Sequence, residues 1–342
     1  MIILGIETSC DETAASIIQG NEGKITVLSN IVSSQIEIHK KYGGVVPEVA
    51  AREHVLNILP VINEALKQAG IDREQAAQKI DYIAVAIGPG LLTSLIAGIE
   101  TAKSLAYAWN KPVIGVNHIE GHIYANFINN IEIKFPAIIL TVSGGHTMLV
   151  LMEDHGKLKT IGQTRDDAVG EAFDKAAKLM NIGYPGGPIV SKLATAASSE
   201  YKIELPRPMM YSDNFDFSFS GLKTALLYEL QKDKSWKEKI PEYCREFQQA
   251  AIDVLIHKTI KAAQKLNAQT IMLSGGVSAN NELRKQLEIA VKENLPDADF
   301  SIPDLKYTTD NAAMMAAAGY FKALRKDVTN WKDLCVDCNL EL

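Results

Sequence analysis

Two stretches of the chain, MIILGIETSCDETAASIIQG at 1–20 and AIILTVSGGHTMLVLM at 137–152, share one pattern of apolar run, polar turn and second apolar run. Ile2 to Ile6 and Ala14 to Ile18 flank the first turn, and Ile138 to Val142 and Met148 to Met152 flank the second. Apolar runs of this length around a compact polar turn predict paired strands. Two such hairpins opening two halves of one chain predict a duplicated α/β lobe. The length of 342 residues agrees, since it exceeds what a single hydrophobic core usually fills.

Between the hairpins, EVAAREHVLNILPVINEALKQAG reads as an amphipathic helix ending at Gly70, and YIAVAIGPG as a buried strand feeding a helix from Thr93 and Ser94. KPVIGVNH is a short strand that ends at a histidine. The second half reads as helix DDAVGEAFDKAAKLM, helix IVSKLATAA, a long helix from about Pro241 to Leu266, and a strand, Gly-Gly turn and helix in TIMLSGGVSANNELRKQLEIA. A helix of small residues follows Thr308, Thr309 and Asp310. Alternating strands and helices predict a largely parallel sheet in each lobe. We place the N-terminal lobe at 1–117 plus 307–342 and the C-terminal lobe at 118–306, with the polar hairpin turns facing one nucleotide cleft.

Composition narrows the function classes. Apolar residues make up 47% and charged residues 22%, and no segment reaches the ~20 apolar residues that cross a bilayer. The N-terminus lacks a basic region ahead of its apolar run, so a cytoplasmic location is expected. Four cysteines are too few for a disulfide framework, and Cys335-Val-Asp-Cys338 lacks the second pair of a zinc site. A net charge of −6 is poor for gripping nucleic acid unaided, so an RNA substrate requires a local patch or a partner.

Three glycine pairs sit beside strands or helix starts, in TVSGGHT, YPGGP and SGGVSANN, where bare amides favour a phosphate. The turn ETSCDET offers Asp11 and Glu12 with the hydroxyls of Thr8, Ser9 and Thr13. Asp167, Glu171 and Asp174 fall on one helical face, and Asp174 is placed to accept hydrogen bonds from a ribose. His118 and His122, two of seven histidines, stand four positions apart and could present two imidazoles to one cation. Glu120 lies two residues after His118 and points away from the pair, unlike the base of a metalloprotease helix. A third ligand is required, with Asp310, read as the N-cap of its helix, ahead of His146.

Taken in order, LGIETSCDET, GGVVPEVAAREH, GPGLLTSL, NHIEGH, VSGGHT, DDAVGEAFDK, YPGGP, DFSFSGLKTA, SGGVSANNELR and TDNAAMMAAAG resemble the bacterial tRNA N6-adenosine threonylcarbamoyltransferases over essentially the whole chain. The resemblance implies a two-lobed actin/Hsp70/sugar-kinase-like fold. It also implies transfer of a threonylcarbamoyl group from threonylcarbamoyl-AMP to N6 of the adenosine 3′ of the anticodon, in tRNAs reading codons that begin with A. By match to the family motifs, His118, His122 and Asp310 would hold one iron or zinc ion. Thr141, Val142, Ser143, Gly144, Gly145, Asp174, Gly187 and Asn280 would contact the adenylate. Asp11 and Glu12 are the candidates for positioning the amine or accepting its proton. The implied partners are tRNA, a paralogous inactive homologue (TsaB) as heterodimer partner, and a small P-loop ATPase (TsaE). The family often has cysteine where Thr308 stands, two residues before the metal aspartate. Rival readings are an ATPase or kinase of the same fold, a nucleotide-binding scaffold and a metallopeptidase.

Overall fold

The computed structural model describes residues 1–128, 132–198 and 201–342. The chain forms two compact units, Met1–Glu132 with Pro303–Leu342, and Ile133–Ile302.

In the first unit β1 (Ile2–Glu7) pairs antiparallel with β2 (Glu12–Asn21), from Ile2 opposite Gln19 to Glu7 opposite Ala14. β3 (Lys24–Ser34) extends β2 antiparallel, while β4 (Tyr82–Gly88) joins β1 and β5 (Val113–Asn117) joins β4, both in parallel. The order is β3-β2-β1-β4-β5. In the second unit β6 (Ala137–Val142), β7 (Thr147–Asp154), β8 (Lys157–Gln163), β9 (Thr270–Ser274) and β10 (Asp299–Ser301) run in the order β10-β9-β6-β7-β8. β6 pairs antiparallel with β7 and parallel with β9, as β1 does with β2 and β4. The same pairing around the same hairpin, in both units, is the duplication expected from the sequence.

The first unit's helices include α1 (Ile36–His39), α2 (Pro47–Gln68), α3 (Ala76–Lys79), α4 (Leu92–Trp109) and α5 (His118–Tyr124). The second unit carries α6 (Val169–Leu179), α7 (Gly186–Ala194), α8 (Ser220–Lys232), α9 (Ile240–Lys265) and α10 (Asn281–Asn294). The chain then returns to the first unit with α11 (Ala312–Leu324), in which nearly every residue is buried. Small residues let α11 approach its neighbours closely. A Cβ on Gly121 of α5 would fall 2.1 Å from Met315 Cε, so a larger residue there would require the Met315 side chain to move.

The unit boundaries differ from the expected 117/118 and 306/307. Tyr124 and Phe127 pack against Phe321 of α11, tilted at 31° and edge-on at 62° with ring centroids 5.1 and 5.2 Å away, which keeps α5 in the first unit. Strands β3 and β8 and helix α8 are elements the sequence reading did not place. α6 begins at Val169, so Asp167 precedes the helix instead of sharing a face with Glu171 and Asp174; its carboxylate pairs with Lys175 at 2.6 Å and Lys223 at 3.0 Å.

Candidate functional site

β5 ends at Asn117, whose Oδ1 accepts hydrogen bonds from Ile119 N (2.8 Å) and Glu120 N (3.3 Å) and so starts α5. One helical turn then sets the His118 and His122 rings together, with centroids 4.7 Å apart and planes at 83°. Asp310 stands before α11. The capping role expected of it is taken by Asn311, whose Oδ1 accepts from Met314 N at 3.1 Å. The Asp310 carboxylate is directed at the histidines, with Oδ1 3.1 Å from His122 Nε2 and 3.6 Å from His118 Nε2. One donor atom from each of the three residues lies within 4.8 Å of the others. Two imidazoles and one carboxylate, with coordination positions left over, form a donor set suited to zinc or ferrous iron.

The other ring nitrogen of His118 is also engaged. Its Nδ1 lies 3.1 Å from Glu7 Oε2 and 3.0 Å from Ser9 Oγ. Burial opposes charge on His118, but the Asp310 and Glu7 carboxylates outweigh it, and its pKa is pushed up to about 9. The Glu12 carboxyl is pushed up to about 10, first by burial and then by the charges of Asp310 and Asp11; Ser34 Oγ donates to it at 3.2 Å. Burial, with Asp11 and Asp310, also raises the Cys10 thiol. The turn carrying Asp11 and Glu12 thus shares the electrostatic surroundings of the triad. Thr308 Oγ1 donates to Leu305 O at 2.8 Å and turns away from any ligand role. Glu120 faces Lys322 at 3.9 Å and Arg325 at 4.0 Å, which removes the base a metallopeptidase would need from this helix.

In the second unit β6 and β9 run parallel, so the loops leaving their C-terminal ends adjoin one another, the usual ligand edge of an α/β sheet. Thr141 Oγ1 lies 2.9 Å from Ser274 Oγ, and the Val142 side chain is fully buried, so a ligand would meet these two through backbone. Ser143 and His146 close a tight turn: Ser143 N donates to His146 O at 2.8 Å, and His146 N donates to Ser143 Oγ at 3.0 Å. His146 therefore belongs to this turn and is not one of the three clustered ligands. A Cβ on Gly144, Gly145, Gly187 or Gly276 would meet nothing within 4 Å, which leaves room for a ligand against the bare backbone. Gly275 is the opposite case: its φ is +85° and a Cβ would strike Val142 O at 2.4 Å. Asp174 Oδ1 accepts from Gly186 N at 2.6 Å at the start of α7, and burial raises the pKa of its carboxyl. Asn280 caps α10 by accepting from Glu282 N and Leu283 N, and its Nδ2 donates to Gln248 at 2.8 Å.

Glu7 is the residue that sequence reasoning missed at the triad, where it stood only as the first residue of the turn ETSCDET. A carboxylate closing a strand of buried residues was the available signal.

The family model for TsaD, tRNA N6-adenosine threonylcarbamoyltransferase, matches residues 26–317. Relatives named tRNA N6-adenosine threonylcarbamoyltransferase include one from Thermosipho africanus, 48% identical over 345 residues and covering 100% of both chains. Another, from Geobacillus thermodenitrificans, is 47% identical over 331 residues, covering 95% of this chain and 94% of its own. Among solved structures, HypF of T. kodakarensis superposes with a TM-score of 0.62 at 14% identity, covering 98% of this chain and 49% of its own. The chain thus spans about half the length of that HypF, and the likeness is one of fold, of the actin/Hsp70/sugar-kinase type. Among the described residues no helix is long and apolar enough to cross a membrane.

Proposed function

The chain belongs to the tRNA N6-adenosine threonylcarbamoyltransferase family, and from that premise we propose that it moves a threonylcarbamoyl group from threonylcarbamoyl-AMP to N6 of the adenosine 3′ of the anticodon, in tRNAs reading codons that begin with A. The observation that carries the reading is the triad of His118, His122 and Asp310, whose donor atoms converge within 4.8 Å. An iron or zinc ion held there would supply Lewis acidity toward the carbonyl and a template for the intermediate.

The adenosine amine is a poor nucleophile because its lone pair is delocalised into the ring, so positioning and fixed dipoles must supply most of the rate. In the second unit, the 141–145 loop, Asp174, Gly187 and the segment around Asn280 are assigned to the adenylate. The open faces of Gly144, Gly145 and Gly187 admit the ligand close to backbone amides. Asp174 accepts from the Gly186 and Gly187 amides at the start of α7, and its carboxylate is assigned to a ribose hydroxyl. Asp11 and Glu12 are assigned to orienting the incoming amine, with Asp11 taking its proton, since a Glu12 carboxyl pushed up to about 10 already holds one near neutral pH.

Partner dependence follows from charge and surface. The net charge is −6, and α2 and α4 expose Val55, Leu56, Leu59, Leu92 and Ile96. An apolar surface on two packed helices suits a protein partner, which we take to be the inactive paralogue TsaB, with the ATPase TsaE completing the system. The deciding assay combines the protein, threonylcarbamoyl-AMP, unmodified tRNA and both partners, with mass spectrometry of the digested nucleosides. Modified adenosine with native protein and none with His118→Ala is the expected result. Equal product from both, or product without this chain, would remove the reading.

A further inference from the structure

Glu7 is fully buried at the end of β1. A buried carboxylate is costly unless its oxygens are paired, and here both are. Oε1 accepts from Ser9 N at 2.5 Å, and Oε2 lies 3.1 Å from His118 Nδ1. His118 is therefore met on both ring nitrogens, with Glu7 and Ser9 at Nδ1 and Asp310 3.6 Å from Nε2. His122 differs: Asp310 lies 3.1 Å from its Nε2, while its Nδ1 is buried without a hydrogen-bond partner among the described residues.

We propose that Glu7 is a positioning residue of the triad: its Oε2 accepts a hydrogen bond from His118 Nδ1–H, fixes the tautomer whose Nε2 lone pair faces Asp310, and thereby sets the cation affinity of the site. The inference rests on the reading that the triad holds a cation. A carboxylate behind a ligating imidazole fixes the ring and raises its basicity, and removing it costs about 10–100-fold in affinity. Ser9 Oγ reaches the same nitrogen but carries no charge, so it does not substitute for Glu7.

Glu7→Gln keeps an oxygen that accepts from Ser9 N but sets an NH2 donor against His118 Nδ1, so the negative charge and the acceptor for the Nδ1 proton are lost together. Zn²⁺ titration of the full chain against a competing chelator, with native protein, Glu7→Gln and His118→Ala, gives the dissociation constants; thermal melting of the cation-free forms runs alongside. The expected result is one equivalent bound by native protein and affinity lowered about 10–100-fold in Glu7→Gln, with the cation-free variant still melting in one cooperative transition. Native-like affinity in Glu7→Gln, with binding lost in His118→Ala, overturns the role of Glu7 and leaves the triad standing. Native-like affinity in His118→Ala, or no binding by native protein, overturns both. A second measurement needs no variant. In Zn²⁺-loaded native protein, ¹⁵N NMR of the His118 ring should show the proton on Nδ1 and the ion on Nε2; ligation through Nδ1 overturns the proposal even if Glu7→Gln does not fold.

Discussion

His122 Nε2 and Asp310 Oδ1 lie 3.1 Å apart although 188 positions separate the two residues in the chain. Replacing either by alanine removes a donor without touching the second unit. His122→Ala and Asp310→Ala should therefore lose bound metal and transfer together, with transfer down about a thousandfold if the ion supplies several kcal/mol. Metal content by elemental analysis and single-turnover transfer check this; metal-free variants with native turnover would count against it.

The glycine loops separate stability from binding. Gly144→Ala places a methyl in open space, so stability should stay within about 0.5 kcal/mol of native. Affinity for a non-hydrolysable adenylate analogue should fall about tenfold or more, equivalent to 1.4 kcal/mol. Gly275→Ala is expected to behave in reverse order, costing roughly 3 kcal/mol of folding free energy through its positive φ and the collision with Val142 O. Urea denaturation and calorimetric titration distinguish the two. Equal destabilisation by both substitutions would contradict the assignment.

The apolar surface of α2 makes a prediction about assembly. Leu56 and Leu59 are 68% and 55% exposed, so Leu56→Glu and Leu59→Glu should leave the isolated chain folded. If the partner docks there, each should weaken the complex by about 2 kcal/mol, roughly thirtyfold. Sedimentation with the purified paralogue provides the measurement, and undiminished association would relocate the interface.

Lys258 supplies a pH test. It is buried on α9, and its Nζ donates to Ser212 Oγ at 2.7 Å and Asn214 O at 3.1 Å. Burial, then the nearby Lys261 charge, pushes its pKa down to about 8. Between that value and the ~10.4 of an unfolded lysine, the unfolded chain holds a proton that the folded chain has released, so this residue makes stability rise with pH. Lys258→Met should remove that increment. Denaturation of native and variant protein at both ends of the window, compared as a difference of differences, would expose an opposite slope.

The hairpins and the histidine pair were legible because apolar runs around a polar turn and a spacing of four are local properties of the chain. Edge strand β3 was not: its sequence KITVLSNIVSS mixes buried and exposed positions without a clean alternation. The attachment of α5 to the first unit depends on Phe321, far along the chain, so local pattern could not place the boundary. Asp310 could be proposed from the small-residue helix that follows it, although the cap turned out to be its neighbour Asn311. Asn280 was read as a substrate contact, and its observed hydrogen bonds cap a helix, since the same residue type serves both purposes.

The first unit is split in sequence, whereas the second runs continuously from Ile133 to Ile302. During synthesis the second unit can close while the first still waits for its final helix. At about 5–20 residues per second, roughly ten to forty seconds separate the making of His122 from that of Asp310. The histidines therefore leave the ribosome before their carboxylate partner exists, and the three donors come together only after Asp310 has been made. Which divalent ion a nascent molecule takes up would then depend on the metals available in the cell at that moment, as well as on the donor set itself.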